Sequence, residues 1–344
     1  MKFTSKIIQS LFLVVLVIGL LIILKGFLIP FSYGLLIALI VYPICKKLES
    51  KKVPRSIAIF ISIFLVIFIL GAVIFIFVLQ LKVLNNKIPE LTDQLNLLLL
   101  NVQKWVNTTF GLSIIEQDNL IINTGKTLIY NMGNVISGSF SIAAETFFNL
   151  IIIPLYAILI LFYRGVIVEF ISSLFGEKYK ANIPVILSET ILVYFNYVKG
   201  MLWVYLIVGI LNSIGLLILG VDYAILFGMV TAVMTIIPYV GIILSSILPI
   251  TMIWIEKGNL FYPLGVIGVF SIVQYVEASI IFPYIVGKQL GVNTLISISA
   301  IFIGGVIWGA SGMILSLPFV AILKIISSHI MELKVIYKLL KIPD

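Results

Sequence analysis

Two clusters of helix-breaking residues in otherwise apolar sequence are the features of this chain that could do chemistry. The residues at the breaks are Pro238, Tyr239, Val240 and Gly241 in the first cluster and Gly304, Gly305, Trp308 and Gly309 in the second. A helix interrupted inside a membrane leaves unpaired backbone groups, which are tolerated only where they face protein or a water-lined cavity. Such helix ends can bind an ion or a polar solute, so two matching breaks predict a transport site.

Hydroxyl-bearing side chains flank both breaks. They are Thr235, Ser245, Ser246, Ser297, Ser299 and Ser311. Groups of this kind could hydrogen-bond a small polar solute in place of water. They are also typical of close helix packing in membranes, so each hydroxyl taken alone favours packing. The breaks therefore carry the stronger prediction.

Glu277 is the most attractive ionisable residue in the apolar sequence of the C-terminal half. An intramembrane carboxylate is costly, so it is by default a hypothesis of function, here the binding of a proton or a monovalent cation. The alternative places Glu277 at the cytoplasmic end of its span, where it reaches headgroup water or pairs with Lys288. The sequence favours neither interpretation.

The composition indicates a membrane protein. Of the 344 residues, 62% are hydrophobic and 10% are charged, and the mean hydropathy is +1.25. This apolar share exceeds that of a soluble domain, so we expect an all-α polytopic protein with about six to eight transmembrane helices. The net charge of +8 comes from basic residues beside apolar spans, which set membrane orientation and do not indicate nucleic-acid binding.

Several kinds of site are not expected. The chain has one cysteine and one histidine, which cannot form an intrachain disulfide or a Cys-based or His-paired metal site. The triplet Gly125-Lys126-Thr127 lacks the earlier glycine of a phosphate-binding loop. No nucleophile elbow or acid-base dyad is present, so the sequence predicts no enzyme, no cofactor and no metal centre.

The apolar segments predict three regions. Residues 1–84 form N-terminal transmembrane helices, 85–142 an extracytoplasmic helical insertion, and 143–344 the transport region. Unbroken spans are expected at 7–28, 31–45, 56–84, 143–163, 200–220 and 263–282. The basic residues of 46–55 and of the C-terminal tail place both segments, and both termini, in the cytoplasm.

The two broken pairs occupy 223–256 and 294–328. Residues 223–237 would extend about 22 Å as a helix, which is short of a hydrocarbon core of about 30 Å. Two re-entrant hairpins would enter from opposite sides, and their tips would approach near the midplane. Four short spans would leave the same topology, so charge counting does not separate the two arrangements.

The insertion contains one apolar stripe at helical spacing. Its members are Leu84, Ile88, Leu91, Leu95, Leu98, Val102 and Trp105. This spacing is typical of an amphipathic helix, which either packs within the insertion or forms a seam between protomers.

The C-terminal motifs resemble those of the autoinducer-2 exporter family, also called PerM-like permeases. The motifs are Val221-Asp222-Tyr223-Ala224, Ile237-Pro238-Tyr239-Val240-Gly241, Pro283 through Gly291, Gly304-Gly305, Trp308-Gly309, Gly312 and Leu317-Pro318. The resemblance implies a bacterial multi-pass protein of the cytoplasmic membrane, in contact with the lipid bilayer and forming a homo-oligomer. It implies that the family motif residues Pro238, Gly241, Pro283, Gly287, Gly304 and Gly309 form the framework of a site.

The resemblance leaves the solute open. Members of the family have been assigned export of autoinducer-2 or exchange of sodium or lithium for protons, and a sporulation-associated branch has no secure solute. We expect secondary export of a small polar solute by alternating access, because titratable groups are scarce. A cation antiporter that uses Glu277 and a membrane scaffold that acts through the insertion are the alternatives.

Overall fold

The computed structural model describes residues 2–69, 71–72, 75, 104, 107–108, 151–237, 240–259 and 261–342. Most of the predicted insertion, with its apolar stripe, lies outside these ranges, as do Pro238 and Tyr239. The boundaries of the three predicted regions therefore stay predictions.

All regular elements of the described ranges are helical, which confirms the all-α prediction. In chain order the α-helices are α1 (Lys2–Ile23), α2 (Lys25–Ser50), α3 (Arg55–Ile69), α4 (Ile151–Phe162), α5 (Arg164–Leu174), α6 (Gly176–Lys180), α7 (Ile183–Ile218), α8 (Ala224–Met234), α9 (Val240–Lys257), α10 (Phe261–Val276), α11 (Phe282–Ile285), α12 (Gly287–Leu290), α13 (Thr294–His329) and α14 (Lys334–Leu340). A π-helix, Glu277–Ile281, joins α10 to α11, and a 3-10 turn, Met331–Leu333, precedes α14.

Four helical segments of the described chain are long and apolar enough to cross a membrane. By length and composition they are Lys25–Ser50, Lys178–Ile218, Phe261–Ile285 and Thr294–His329, the last of which turns back at Trp308 and Gly309. A fifth arises if α4 and α5, bent by 71°, count as one. These segments confirm a polytopic protein. The 36 residues of α7 extend about 54 Å, so this helix is longer than the hydrocarbon core of about 30 Å.

The first two helices meet earlier than predicted. A single residue, Leu24, separates α1 from α2, and residues 25–30 belong to the second helix. Pro30 is buried within α2, so the expected boundary between 28 and 31 is wrong. Proline lacks an N–H but does not end this helix, because buried neighbours hold it in place.

The first broken pair is a helical hairpin, named hairpin 1 here (residues 224–257). Its first arm, α8, has 11 residues and extends about 16 Å, about half a membrane crossing. The chain then reverses and brings Gly241 against the backbone of Met234. A Cβ atom added at Gly241 would overlap that backbone, so the reversal requires glycine here. The bases of the arms also meet, since Ala224 and Phe227 share a buried cluster with Met252 and Ile253.

The second broken pair is also a hairpin, named hairpin 2 (residues 294–329). Its chain leaves helical geometry at Trp308 (φ −128°, ψ 16°) and Gly309 (φ 60°, ψ −140°). The backbones of Gly304 and Gly312 are in direct contact, although eight residues of straight helix would separate them by about 12 Å. The arms therefore run side by side, and the 36-residue helix is two segments joined by a tight turn.

The segments predicted to face the cytoplasm share one side of the molecule. Arg164 pairs with Glu49 at 2.7 Å, and Arg55 donates a hydrogen bond to the Leu161 carbonyl at 2.8 Å. These contacts join the basic 46–55 segment to the bend between α4 and α5.

The same side carries the start of α7 and the C-terminal segment. Asn182 donates to the His329 carbonyl at 3.0 Å, and Lys178 pairs with Glu332 at 2.7 Å. Hydrogen bonds from Lys178 and Tyr179 lower the pKa of Glu332 to about 2, so this carboxylate stays ionised near neutral pH. The assignment of this side to the cytoplasm stays a prediction.

Helix α7 is the common packing partner of the other elements. It contacts α2, α8, α10 and hairpin 2. Val204 and Val208 of α7 share a buried cluster with Ala232 of hairpin 1 and Val273 of α10. Tyr194 of the same helix shares a cluster with Leu36 and with Leu315 of hairpin 2. Both hairpins are therefore held by one long helix.

The glycine contact in hairpin 2 generates a matched pair of variants. Gly304→Ala should lower stability by about 1–3 kcal/mol, because the new methyl group meets the rigid backbone of Gly312. Gly305→Ala should be neutral or slightly stabilising, because its methyl group meets the flexible end of Met313 and alanine favours helix. Heating each purified variant and measuring the folded fraction by size-exclusion chromatography checks this. Equal stability of the two variants would contradict the hairpin contact.

Candidate functional site: two helical hairpins and a buried carboxyl group

The hydroxyl groups predicted for the first tip bond to their own helices. Thr235 lies just after α8 and donates to the Thr231 carbonyl at 2.8 Å. Ser245 is buried in α9 and donates to the Ile242 carbonyl at 3.2 Å. Backbone carbonyls thus already satisfy both hydroxyl donors. Gly241, at the start of α9, supplies the close approach that a side chain would prevent.

Hairpin 1 is held to α7 by a small-residue interface that the sequence interpretation did not single out. A Cβ atom at Gly228 would overlap the backbone of Ser213, so α7 and α8 approach very closely. Asn212, next to Ser213, is 0% exposed, and neither atom of its amide group has a hydrogen-bond partner among the described residues. An asparagine in the middle of the apolar sequence of α7 is the feature that could have drawn attention to it.

The tip of hairpin 2 is fixed by the predicted residues Trp308 and Gly309. The Trp308 indole N–H donates to the Leu21 carbonyl of α1 at 2.9 Å. Gly309 has a positive φ that side chains disfavour. Ser299 is half-buried in the first arm. The side chain of Asn293 caps that arm by accepting a hydrogen bond from the Leu295 N–H at 2.9 Å.

Glu277 begins the π-helix that interrupts the helix after α10. The wider turn has a local cause, because Pro283 lacks a backbone N–H and its ring crowds the preceding turn. Glu277 is 7% exposed, and its Oε2 atom has no hydrogen-bond partner among the described residues. Gln274 and Tyr205 lie close enough to interact with this carboxyl group.

The burial of Glu277 bears on the two interpretations of this residue. A side chain that reaches headgroup water would be more exposed than Glu277, but its binding of a proton or cation stays a prediction. The side chain of Lys288 lies outside the description, and the alternative pairing with it stays a prediction. A buried oxygen without a donor can accept a proton or bind a cation.

The predicted residues do not form one compact cluster in the described part of the chain. Hairpin 1 packs against α7 and α10, whereas hairpin 2 packs against α1, α2 and α7. The two hairpins are not among the element pairs that pack extensively within the described ranges. The predicted approach of the tips stays a prediction, since Pro238 and Tyr239 lie outside those ranges.

Together these features define a class of protein, the polytopic α-helical membrane protein with paired discontinuous helices. The comparison with known families specifies it further. The model of the AI-2E family transporters matches residues 11–332, nearly the whole chain. The chain therefore belongs to the AI-2E transporter family.

Individual relatives are distant but cover most of the chain. A Bacillus subtilis protein named "Putative transport protein YrrI" is 25% identical over 91% of this chain and 89% of its own length. The protein named "AI-2 transport protein TqsA" of Escherichia coli is 24% identical over 86% of this chain and 84% of its own length. The chain is thus similar to transport proteins over most of the transmembrane fold.

The contact of Trp308 with α1 can be tested with a second tryptophan as the control. Trp308→Phe should lower stability by about 0.5–1.5 kcal/mol, because it removes the hydrogen bond to the Leu21 carbonyl. Trp254→Phe removes the same indole N–H where no described residue accepts a hydrogen bond from it, and should cost less. The midpoint of thermal unfolding in detergent measures both. A smaller loss for Trp308→Phe than for Trp254→Phe would contradict the role of this bond.

Proposed function

We propose that this protein is a secondary transporter that exports a small polar solute such as autoinducer-2 by alternating access. The observation that carries the proposal is the pair of helical hairpins packed on one long helix, α7. Each hairpin has an arm shorter than a membrane crossing and a turn at glycine. Membership in a family of transporters supports the same class of function.

The hairpins suit this task for a physical reason. A helix that ends at a turn leaves its terminal backbone N–H and C=O groups without helical partners, and lipid cannot supply any. A solute that passes between the hairpins and the surrounding helices could take up these bonds. Inverted-repeat transporters place their sites at discontinuous helices in the same way.

Hairpin 1 packs tightly on α7, so passage of a solute between them would require the hairpin to move. The close contact of Gly228 with Ser213 leaves no room for a solute between α7 and α8. The amide group of Asn212, the residue before Ser213 in α7, is buried without a described partner. An unpaired buried amide costs about 1–3 kcal/mol, so a state in which it binds water or solute would recover that energy.

The scarcity of charged groups near the hairpins supports a small polar solute over a strongly charged one. The Thr235 and Ser245 hydroxyls already donate to carbonyls of their own helices, so backbone groups at the turns are the better candidate ligands. The relative named as an AI-2 transport protein points to autoinducer-2 as the first solute to test.

Exchange of sodium or lithium for protons is the second candidate function, and Glu277 specifically favours it. Its carboxyl group is buried, lies at a π-helix and has one oxygen without a described partner. π-Helices of this kind are frequent at functional sites. A carboxylate that alternately binds a proton and a cation would meet the needs of an antiporter.

The cellular setting completes the proposal. Loops rich in lysine and arginine favour the cytoplasmic side, so the shared face of 46–55 and the C-terminal segment is placed there, with both termini. The protein would lie in the bacterial cytoplasmic membrane as a homo-oligomer and act without catalysis or a cofactor. A scaffold that acts through the insertion remains the third possibility.

Flux into proteoliposomes tests the three functions directly. We expect uptake of autoinducer-2 into inside-out vesicles to exceed that of protein-free vesicles, and Gly309→Ala to slow it, because the tip geometry suits only glycine. The measurement is repeated with and without sodium and proton gradients. Absence of autoinducer-2 flux together with sodium-driven proton movement would replace export by antiport. Absence of both, with cellular function lost on deletion of 90–140, would favour the scaffold.

Glu277→Gln separates export from antiport, because glutamine keeps the shape and removes the titratable group. If export is the function, autoinducer-2 flux should persist in Glu277→Gln; if antiport is the function, sodium-driven proton movement should be lost. Glu169→Gln is the matched control, since Glu169 is exposed on α5. Loss of autoinducer-2 flux in Glu277→Gln but not in Glu169→Gln, with the fold intact, would contradict export that does not depend on Glu277.

A further inference from the structure

A cavity on an exposed face of α7 lies apart from both hairpin tips. It has a volume of about 210 Å³ and is lined by Asn196, Lys199, Gly200, Trp203, Ile285 and Gln289. Gly200 lies at the contact of α7 with Ile285 and Val286, where a side chain would crowd both residues. The cavity therefore forms where α7 meets the segment that follows the π-helix.

The polar groups around this cavity are hydrogen-bond donors that no described residue uses. Lys199 supplies an ammonium group, and Asn196 and Gln289 supply amide N–H groups. The indole of Trp203 adds a third kind of N–H donor. One positive charge and several free donors, with no carboxylate in the lining, suit an anion with several oxygen atoms, such as a phosphate group.

The position of the cavity matches the membrane surface. Trp203 is 53% exposed and Tyr284, next to the lining residue Ile285, is 90% exposed. Exposed tryptophan and tyrosine are enriched at the level of lipid headgroups. The cavity lies near the C-terminal segment, because Val292, three residues after the lining residue Gln289, pairs with Lys341. The lysine and arginine distribution assigns that segment to the cytoplasm.

An apolar stripe leads away from the cavity along the same helix. After Lys199, residues at spacings of four, three, four, four and three are exposed and mostly aliphatic: Trp203, Leu206, Ile210, Ile214 and Leu217. This spacing keeps them on one face of α7. A ligand with a phosphate in the cavity could therefore lay an acyl chain along the stripe, which a free phosphate ion could not do.

We propose that this cavity binds the phosphate of an anionic phospholipid, with Lys199, Asn196 and Gln289 as its ligands and the stripe on α7 as the bed of an acyl chain. The bound lipid would occupy the junction between α7 and the chain that follows Glu277. It would thereby brace the long helix on which both hairpins pack. The proposal concerns lipid binding and does not depend on which solute is transported.

Titration of the purified full-length protein in detergent, followed by native mass spectrometry, tests this site. The probes are phosphatidylglycerol, zwitterionic phosphatidylcholine and inorganic phosphate at matched ionic strength. We expect binding of phosphatidylglycerol in preference to phosphatidylcholine, and Lys199→Gln should weaken the binding of phosphatidylglycerol roughly fivefold, the effect of one basic residue near a membrane surface. Lys199→Arg should retain it.

Lys46→Gln is the matched control, because Lys46 is an exposed lysine on the same side but outside the cavity. Equal weakening by Lys46→Gln and Lys199→Gln would overturn the proposal, as would unchanged binding in Lys199→Gln. If inorganic phosphate displaces phosphatidylglycerol at equal concentration, the cavity binds a soluble anion and the lipid assignment is wrong. Brominated phosphatidylglycerol should also quench the fluorescence of Trp203 in the wild type and less in Lys199→Gln.

Discussion

The need to satisfy backbone hydrogen bonds away from water constrains this fold more than any other interaction. A helix that stops inside a bilayer must turn where protein covers its end, since lipid offers neither donors nor acceptors. Glycine permits such turns here, because the arms of each hairpin come close enough for backbone to meet backbone at Gly241 and at Gly304 with Gly312. The same small-residue packing joins hairpin 1 to α7 through Gly228. The position of both hairpins thus depends on contacts that any side chain would push apart.

Helix α7 connects these local contacts, because both hairpins pack against it. Its length exceeds the hydrocarbon thickness, so it passes from the interface that carries the ion pairs of Arg164 and Glu332 into the core that holds the hairpins. Rigid packed helices transmit displacements because protein interiors are close-packed. Hairpin 1, hairpin 2 and the π-helix at Glu277 all contact α7, so a shift of hairpin 1 against this helix would also displace the other two elements.

Much of the fold could be predicted from sequence because its causes are local. Hydropathy identified a polytopic all-α protein, proline and glycine marked both hairpins, and basic residues grouped the segments that the structure places on one side. The boundary between α1 and α2 was wrong because Pro30 is accommodated by tertiary packing inside a helix, which no local rule reveals. Thr235 and Ser245 are candidate solute ligands in sequence, although each hydroxyl taken alone favours packing. Both hydroxyls donate to carbonyls of their own helices, and a solute contact by either residue stays a prediction. The burial of Asn212 and the lining of the cavity at Lys199 depend on which helix faces meet, and helix periodicity alone does not specify this.

The polar residues of the apolar region differ in how fully their hydrogen-bonding atoms are satisfied within the described residues. Hydroxyl groups bond to the preceding turn at little cost, so Thr231, Thr235 and Ser213 can serve packing alone. Asn212 and Glu277 cannot satisfy all their atoms within one helix, and both retain buried atoms without a partner among the described residues. A bound proton, water molecule, ion or solute could satisfy such atoms. Asn212 and Glu277 therefore differ physically from the hydroxyl residues, whose donors are already used by the preceding turn.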